Sequence, residues 1–178
     1  MKRMKRTALL LAALLLALMA FAGAEDAPEA LSEDDFVFVY DETPYSFGMD
    51  PAELIAAITA HDGAAPEVFA AESCLYDTMD YEYYGAEITV GSCHPQGGPD
   101  EAINCFMVYG GEWTTARGIG IGSTLEEVVS AYGTDYAEEA DTVVYAIGEK
   151  YQSYTLAFQY DEESRTVIGF ALYAMFDT

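Results

Sequence analysis

Two kinds of apolar spacing alternate along this chain. Between Gly118 and Gly133, the residues Leu125, Val128, Val129 and Tyr132 fall at i, i+3, i+4 and i+7, one apolar face of an α-helix. Ser123 stands before them as an N-cap, Glu126 completes a capping-box pattern, and Gly133 supplies the stop. A weaker echo follows Gly48. There Asp50-Pro51-Ala52-Glu53 reads as N-cap, first-turn proline and first-turn carboxylate, and Leu54, Ile55 and Ile58 repeat the spacing of Val128, Val129 and Tyr132. The caps disagree by one residue when the apolar faces are aligned. The echo nevertheless predicts an internal duplication.

Elsewhere the apolar positions follow the strand period of two, most cleanly where Tyr154, Leu156 and Phe158 alternate with Thr155, Ala157 and Gln159. Strands are expected at 36–40, 45–47, 73–76, 81–84, 86–92 and 102–109. The second half offers 113–121 as a strand-like lead to the helix, then 142–147, 151–160 and 166–176. His94 to Asp100 and Asp161 to Ser164 are turns, and 64–72 reads as a connector. Each half is thus a helix followed by antiparallel strands, with repeats at 36–110 and 111–178 meeting at Gly110-Gly111. The expected class is α+β, a duplicated helix plus antiparallel sheet unit with the helices packed on one face of the sheet.

The N-terminus changes the picture of the charge. Lys2, Arg3, Lys5 and Arg6 precede an Ala/Leu run from Ala8 to Phe21, and Ala22-Gly23-Ala24 offers small residues for cleavage. Residues 1–24 are expected to be a signal peptide, with 25–35 a flexible acidic lead-in. The apolar run is short for a membrane span, which takes about 20 residues, so cleavage is favoured over a retained anchor and no stable insertion follows it. The mature chain would keep three basic residues, Arg117, Lys150 and Arg165, against thirty-one acidic ones, a net charge of −28. Such a surface repels nucleic acid and anionic lipid and favours basic extracellular or envelope proteins. The same charge also serves solubility alone.

The phrases Arg117-Gly-Ile-Gly-Ile-Gly-Ser-Thr-Leu-Glu-Glu-Val128 and Tyr132-Gly133, with Phe36 to Tyr40 and Ser73-Cys74 in support, resemble the tandem β-lactamase-inhibitor-protein-like fold. That fold occurs in small secreted proteins and lipoproteins of Gram-positive bacteria, and the same phrases are similar to the small outer-membrane-assembly lipoproteins. The likeness implies a paired helix-and-sheet architecture. It does not carry inhibition, because no inhibitor contact residue matches a position here. A lipobox cysteine is missing beside the cleavage site.

Catalytic and cofactor patterns are sparse. Gly118, Gly120 and Gly122 precede a helix, but the spacing is not GxGxxG, no lysine follows, and Glu126 and Glu127 stand where phosphate would sit. The two histidines, His61 and His94, belong to no HExxH, and no CxxC is present. No EF-hand loop or GxSxG occurs. No cofactor and no metal site are expected, and the chain reads as a non-enzyme.

Cys74, Cys93 and Cys105 allow three pairings in an oxidising compartment. Cys93 with Cys105 is favoured because the two flank a turn. Tyrosine is abundant, 14 of 178 residues. Tyr81, Tyr83, Tyr84, Tyr151, Tyr154, Tyr160 and Tyr173 form the candidate binding face, since exposed tyrosines suit protein interfaces, although strands favour aromatics for packing alone. The expected function is a secreted acidic protein-binding module, inhibitor-like or acting at the envelope. The rivals are a secreted hydrolase with a dispersed acidic site and a structural envelope protein.

Overall fold

The computed structural model describes residues 28–74, 78–95, 100–148 and 154–176. After a 3-10 turn at Glu33–Asp35 come β1 (Val37–Tyr40), β2 (Thr43–Ser46), α1 (Ala52–Asp62), β3 (Glu67–Glu72), β4 (Met79–Tyr84), β5 (Ile88–Cys93) and β6 (Ala102–Val108). The chain continues through β7 (Thr114–Thr115), α2 (Leu125–Tyr132), β8 (Ala137–Glu139), β9 (Thr142–Ile147), β10 (Tyr154–Tyr160) and β11 (Val167–Ala174). Eight strands form one antiparallel sheet in the order β3-β4-β5-β6-β11-β10-β9-β8, and β2-β1-β7 form a second, three-stranded sheet.

The expected α+β class, a helix-plus-sheet unit present twice with helices packed on one sheet face, is corrected. The protein is mostly β. Among the described residues, eleven strands stand against helices of 11 and 8 residues. A helix of that length spans roughly 12–16 Å, whereas eight strands side by side extend roughly 34 Å. Two such helices cannot form a layer over the sheet, and the contacts between elements run mainly from strand to strand. The sheets also cross the expected join at Gly110-Gly111: β6 pairs with β11, and β1 pairs with β7.

Cross-strand register explains the core. One row of opposed residues runs Val68, Tyr83, Val90, Phe106, Leu172, Leu156, Tyr145 across seven strands. A second runs Ile88, Val108, Phe170, Phe158, Val143. From Val90 and Ile88 onward every member is buried. Because side chains alternate between faces, this inner face is continuous, and Phe36, Phe38, Tyr45 and Trp113 from around the small sheet join its cluster. Leu54 and Ile58 of α1 and Leu125, Val128 and Tyr132 of α2 complete it.

The cap of α2 lies one residue later than expected. Thr124 Oγ1 accepts the Glu127 amide at 3.2 Å, and Glu127 Oε2 accepts the Thr124 amide at 2.7 Å, so the box is Thr124/Glu127 and not Ser123/Glu126. Pairing with the chain before β11 delays the helix. Gly122 and Leu125 donate to the carbonyls of Val167 and Arg165, and Val167 donates to Ser123. That pairing holds 122–125 extended. At α1 the cap position falls on Pro51, which has no side-chain cap bond, and not on Asp50; Asp50 Oδ1 instead accepts the Ala52 amide at 2.8 Å, turning the chain into the helix.

Other boundaries move too. The connector expected at 64–72 contains β3, whose side chains are nearly all exposed and so carry no alternation. The strand expected at 73–76 is absent at Ser73 and Cys74, and its remainder lies outside the described residues. The long strand-like lead at 113–121 shrinks to β7 and an isolated bridge at Gly120. β8 was not anticipated at all.

Candidate functional site

The opposite, outer face of the large sheet has its own rows. One crosses all eight strands as Glu67, Tyr84, Thr89, Met107, Ala171, Ala157, Val144, Ala137. Beside it runs Phe69, Glu82, Gly91, Cys105, Tyr173, Thr155, Ala146. A third joins Gly169, Gln159, Thr142 and Glu139. In the middle of the first row the side chains are small. Ala171 and Ala157 lie directly opposed between Met107 and Val144, and they floor a groove of about 320 Å³ whose walls include Tyr109, Ile168, Gln159 and Tyr173. Tyr109 and Ile168 are each nearly half exposed.

Alternation divides the tyrosines expected to share one face. Tyr84 and Tyr173 belong to the outer rows. Tyr83 stands in an inner row opposite Val90, and Tyr81, two residues away, points the same way. Tyr154 packs on Phe36 and Phe47 with ring centroids 5.1 and 6.0 Å apart. Tyr160 is buried, its hydroxyl donating to Glu138 Oε1 at 2.8 Å. Tyr151 lies outside the described residues. Tyr83 is further committed by a 2.7 Å hydrogen bond to Glu101 Oε1, which the Ser92 hydroxyl also reaches. Burial and then that carboxylate hold the Tyr83 hydroxyl far above its ordinary value. The missed signal was parity: Tyr83 and Tyr84 are neighbours on a strand and cannot share a face.

The expected Cys93–Cys105 disulfide is corrected by the register. Cys93 opposes Ala102 while Cys105 opposes Gly91, so the two are offset along the ladder by about three residues, on the order of 10 Å. That exceeds the reach of a disulfide, and Cys74, Cys93 and Cys105 are all free thiols. Burial first, then Asp80 and Glu101, pushes the Cys93 thiol up to about 11. Burial and Glu82 push Cys105 up to about 12. Both stay protonated, and so unreactive, at neutral pH.

A second polar group sits at the other end of the molecule. Tyr40 Oη meets His61 Nδ1 at 2.9 Å, and His61 Nε2 meets Glu87 Oε2 at 3.2 Å. Trp113 packs on the Tyr40 ring, centroids 3.7 Å apart, with its buried Nε1 unpartnered. In the sequence His61 belongs to no catalytic or metal-binding spacing. Its partners come from β1 and from the turn before β5, so no local spacing could have announced them. The chain orients an imidazole as a general base would need, but none of the three residues lines the outer groove.

Among the described carboxylates with displaced titration, Asp35, Glu127, Asp141 and Asp161, every one is lowered. Hydrogen bonds from Thr124, Gln159 and Ser164 hold down the last three. The described residues contain no group of three or more His, Cys, Asp or Glu placed to hold a metal ion, and no helix among them is long and apolar enough to cross a membrane. The segment expected to be a signal peptide lies outside the described residues.

Comparison with known proteins finds no matching family, no similar curated protein and no similar solved structure. The resemblance carried by Arg117 to Val128 and Tyr132-Gly133, with Phe36 to Tyr40 and Ser73-Cys74 in support, therefore rests on those residues alone.

Proposed function

We propose that this is an exported, acidic, non-catalytic binding module that holds a protein partner against the outer face of its eight-stranded sheet. One observation carries the reading: the facing pair Ala171 and Ala157 opens a groove in a sheet whose other face is filled with large apolar side chains. A row of small residues between Met107, Tyr109, Tyr173 and Ile168 lets a partner's side chains sink between larger ones, which is the geometry of an interface centre. The strong negative charge of the protein, −24 for the whole chain, speeds encounter with a basic partner and discourages acidic ones. The hydrolase alternative needs a carboxylate held above its ordinary value, and among the described residues the displaced ones are all held below it.

The test is affinity capture of extracellular and envelope proteins on immobilised residues 25–178, at low and at high salt. A specific partner stays bound at high salt and is lost from an Ala157→Arg bait that folds normally. Retention of only salt-sensitive basic proteins, equally by both baits, overturns the reading, because screening removes purely long-range attraction.

A further inference from the structure

Among the described residues, β3 and β8 are the two edges of the large sheet, and they differ sharply. β8 is three residues long and carries Glu138 and Glu139. β3 is six residues long, contains neither proline nor lysine, and exposes Val68 and Phe69 by 54% and 57%. An edge of this length and apolarity is a template for another strand. Its residues also begin the rows of the outer face: Glu67 heads the row of Tyr84 and Thr89, and Phe69 heads that of Glu82 and Gly91. A strand added there continues both rows outward. Glu67, Val68, Phe69 and Tyr84 already surround a hollow of about 390 Å³ at this rim.

We infer that β3 is a docking edge for an extended, basic segment of a partner protein, which adds as a ninth strand. Charge selects this occupant. Glu67 and Glu72 close the two ends of β3, so the guest needs a Lys or Arg opposite each, with β-branched residues between them facing Val68, Phe69, Ala70 and Ala71. A second copy of this chain is disfavoured for the same reason. The symmetric antiparallel registers set Glu67 opposite Ala71 or Glu72 opposite Val68, and β3 holds no Lys or Arg, so a second copy offers neither carboxylate a cation. The edge site is separate from the Ala171–Ala157 groove and does not depend on it.

The probe is the blocked peptide Lys-Val-Thr-Val-Val-Lys, with a control of the same sequence N-methylated at alternate residues. The purified protein should bind the first at least about tenfold more tightly than the second, because only the first can complete a backbone ladder. Amide exchange should slow in β3 and not in β8. Phe69→Glu should weaken binding about tenfold although it adds an attractive charge, while Glu162→Gln, in the exposed turn between β10 and β11, should leave binding unchanged. Equal binding of both peptides, or binding undiminished by Phe69→Glu, reduces the effect to charge attraction and overturns the proposal. So does protection confined to the groove, or dimers of the protein alone with protected β3 amides.

Discussion

Arg117 and Asp35 form a two-pronged ion pair across 82 residues of sequence, Nε to Oδ1 at 2.5 Å and Nη2 to Oδ2 at 2.7 Å. The same guanidinium donates to the carbonyls of Ala131 at 2.6 Å, Glu29 at 3.0 Å and Ala30 at 3.4 Å, and lies 5.0 Å from the Tyr132 ring centre. One cation thus ties the lead-in, the first 3-10 turn and the last turn of α2. Arg is suited to this because its fixed fork satisfies a carboxylate and carbonyls at once.

Arg117→Met should lower the unfolding free energy by about 3 kcal/mol, since it strands a mostly buried Asp35 carboxylate. Asp35→Asn should cost less, and the double variant should recover part of the loss. A double-mutant cycle by urea unfolding measures the coupling; strict additivity would show that the two side chains do not act as a pair.

Acid should release the same clamp. Burial works to raise the Asp35 carboxyl, but hydrogen bonds from Arg117 and Ser32 outweigh it and hold the group below its ordinary 3.8. A lowered folded-state value means the stabilisation is complete above about pH 4 and is lost as pH falls through that lowered value. Wild-type stability should therefore fall more steeply below about pH 4 than that of Arg117→Met, as read by thermal melts across the range.

Neighbouring residues on β10 should respond oppositely. Leu156 is fully buried, and Leu156→Ala should cost about 2–5 kcal/mol through lost contacts and a cavity. Ala157→Ser on the outer face should stay within about 0.5 kcal/mol of wild type. Comparable losses at both would mean the face assignment is wrong.

Thr124→Ala should destabilise by about 1 kcal/mol, the usual worth of an N-cap. Ser123→Ala should cost less, because its hydroxyl accepts only the Gly120 amide, at 3.2 Å. Chemical unfolding of the two variants ranks them, and the reverse order would restore Ser123 as the cap.

Under native conditions near pH 7, one thiol should react promptly with a disulfide reagent. Cys74 is exposed, whereas Cys93 and Cys105 are protonated and held in the sheet. Cys74→Ser should abolish the fast phase, and denaturant should then release two thiols. Peptide mapping that finds Cys93 joined to Cys105 would contradict the strand register.

Local pattern settles what depends on near neighbours. The apolar stripe of α2, the turn that Asp50 makes into α1, the hairpin at Asp161 to Ser164 and the alternation of β10 all follow from contacts within a few residues, and they stand in the structure. The sequence also sets the charge. Tertiary structure decided everything set by register. It merged the strands of both halves into one sheet, moved the α2 cap to Thr124, sent Tyr83 and Tyr84 to opposite faces, and separated Cys93 from Cys105. It also found β3 and brought Ala171 opposite Ala157. The physical reason is common to all of these. Strand pairing joins residues far apart in sequence, and a shift of one residue exchanges the faces of a whole strand, so no local pattern can fix which side chains meet.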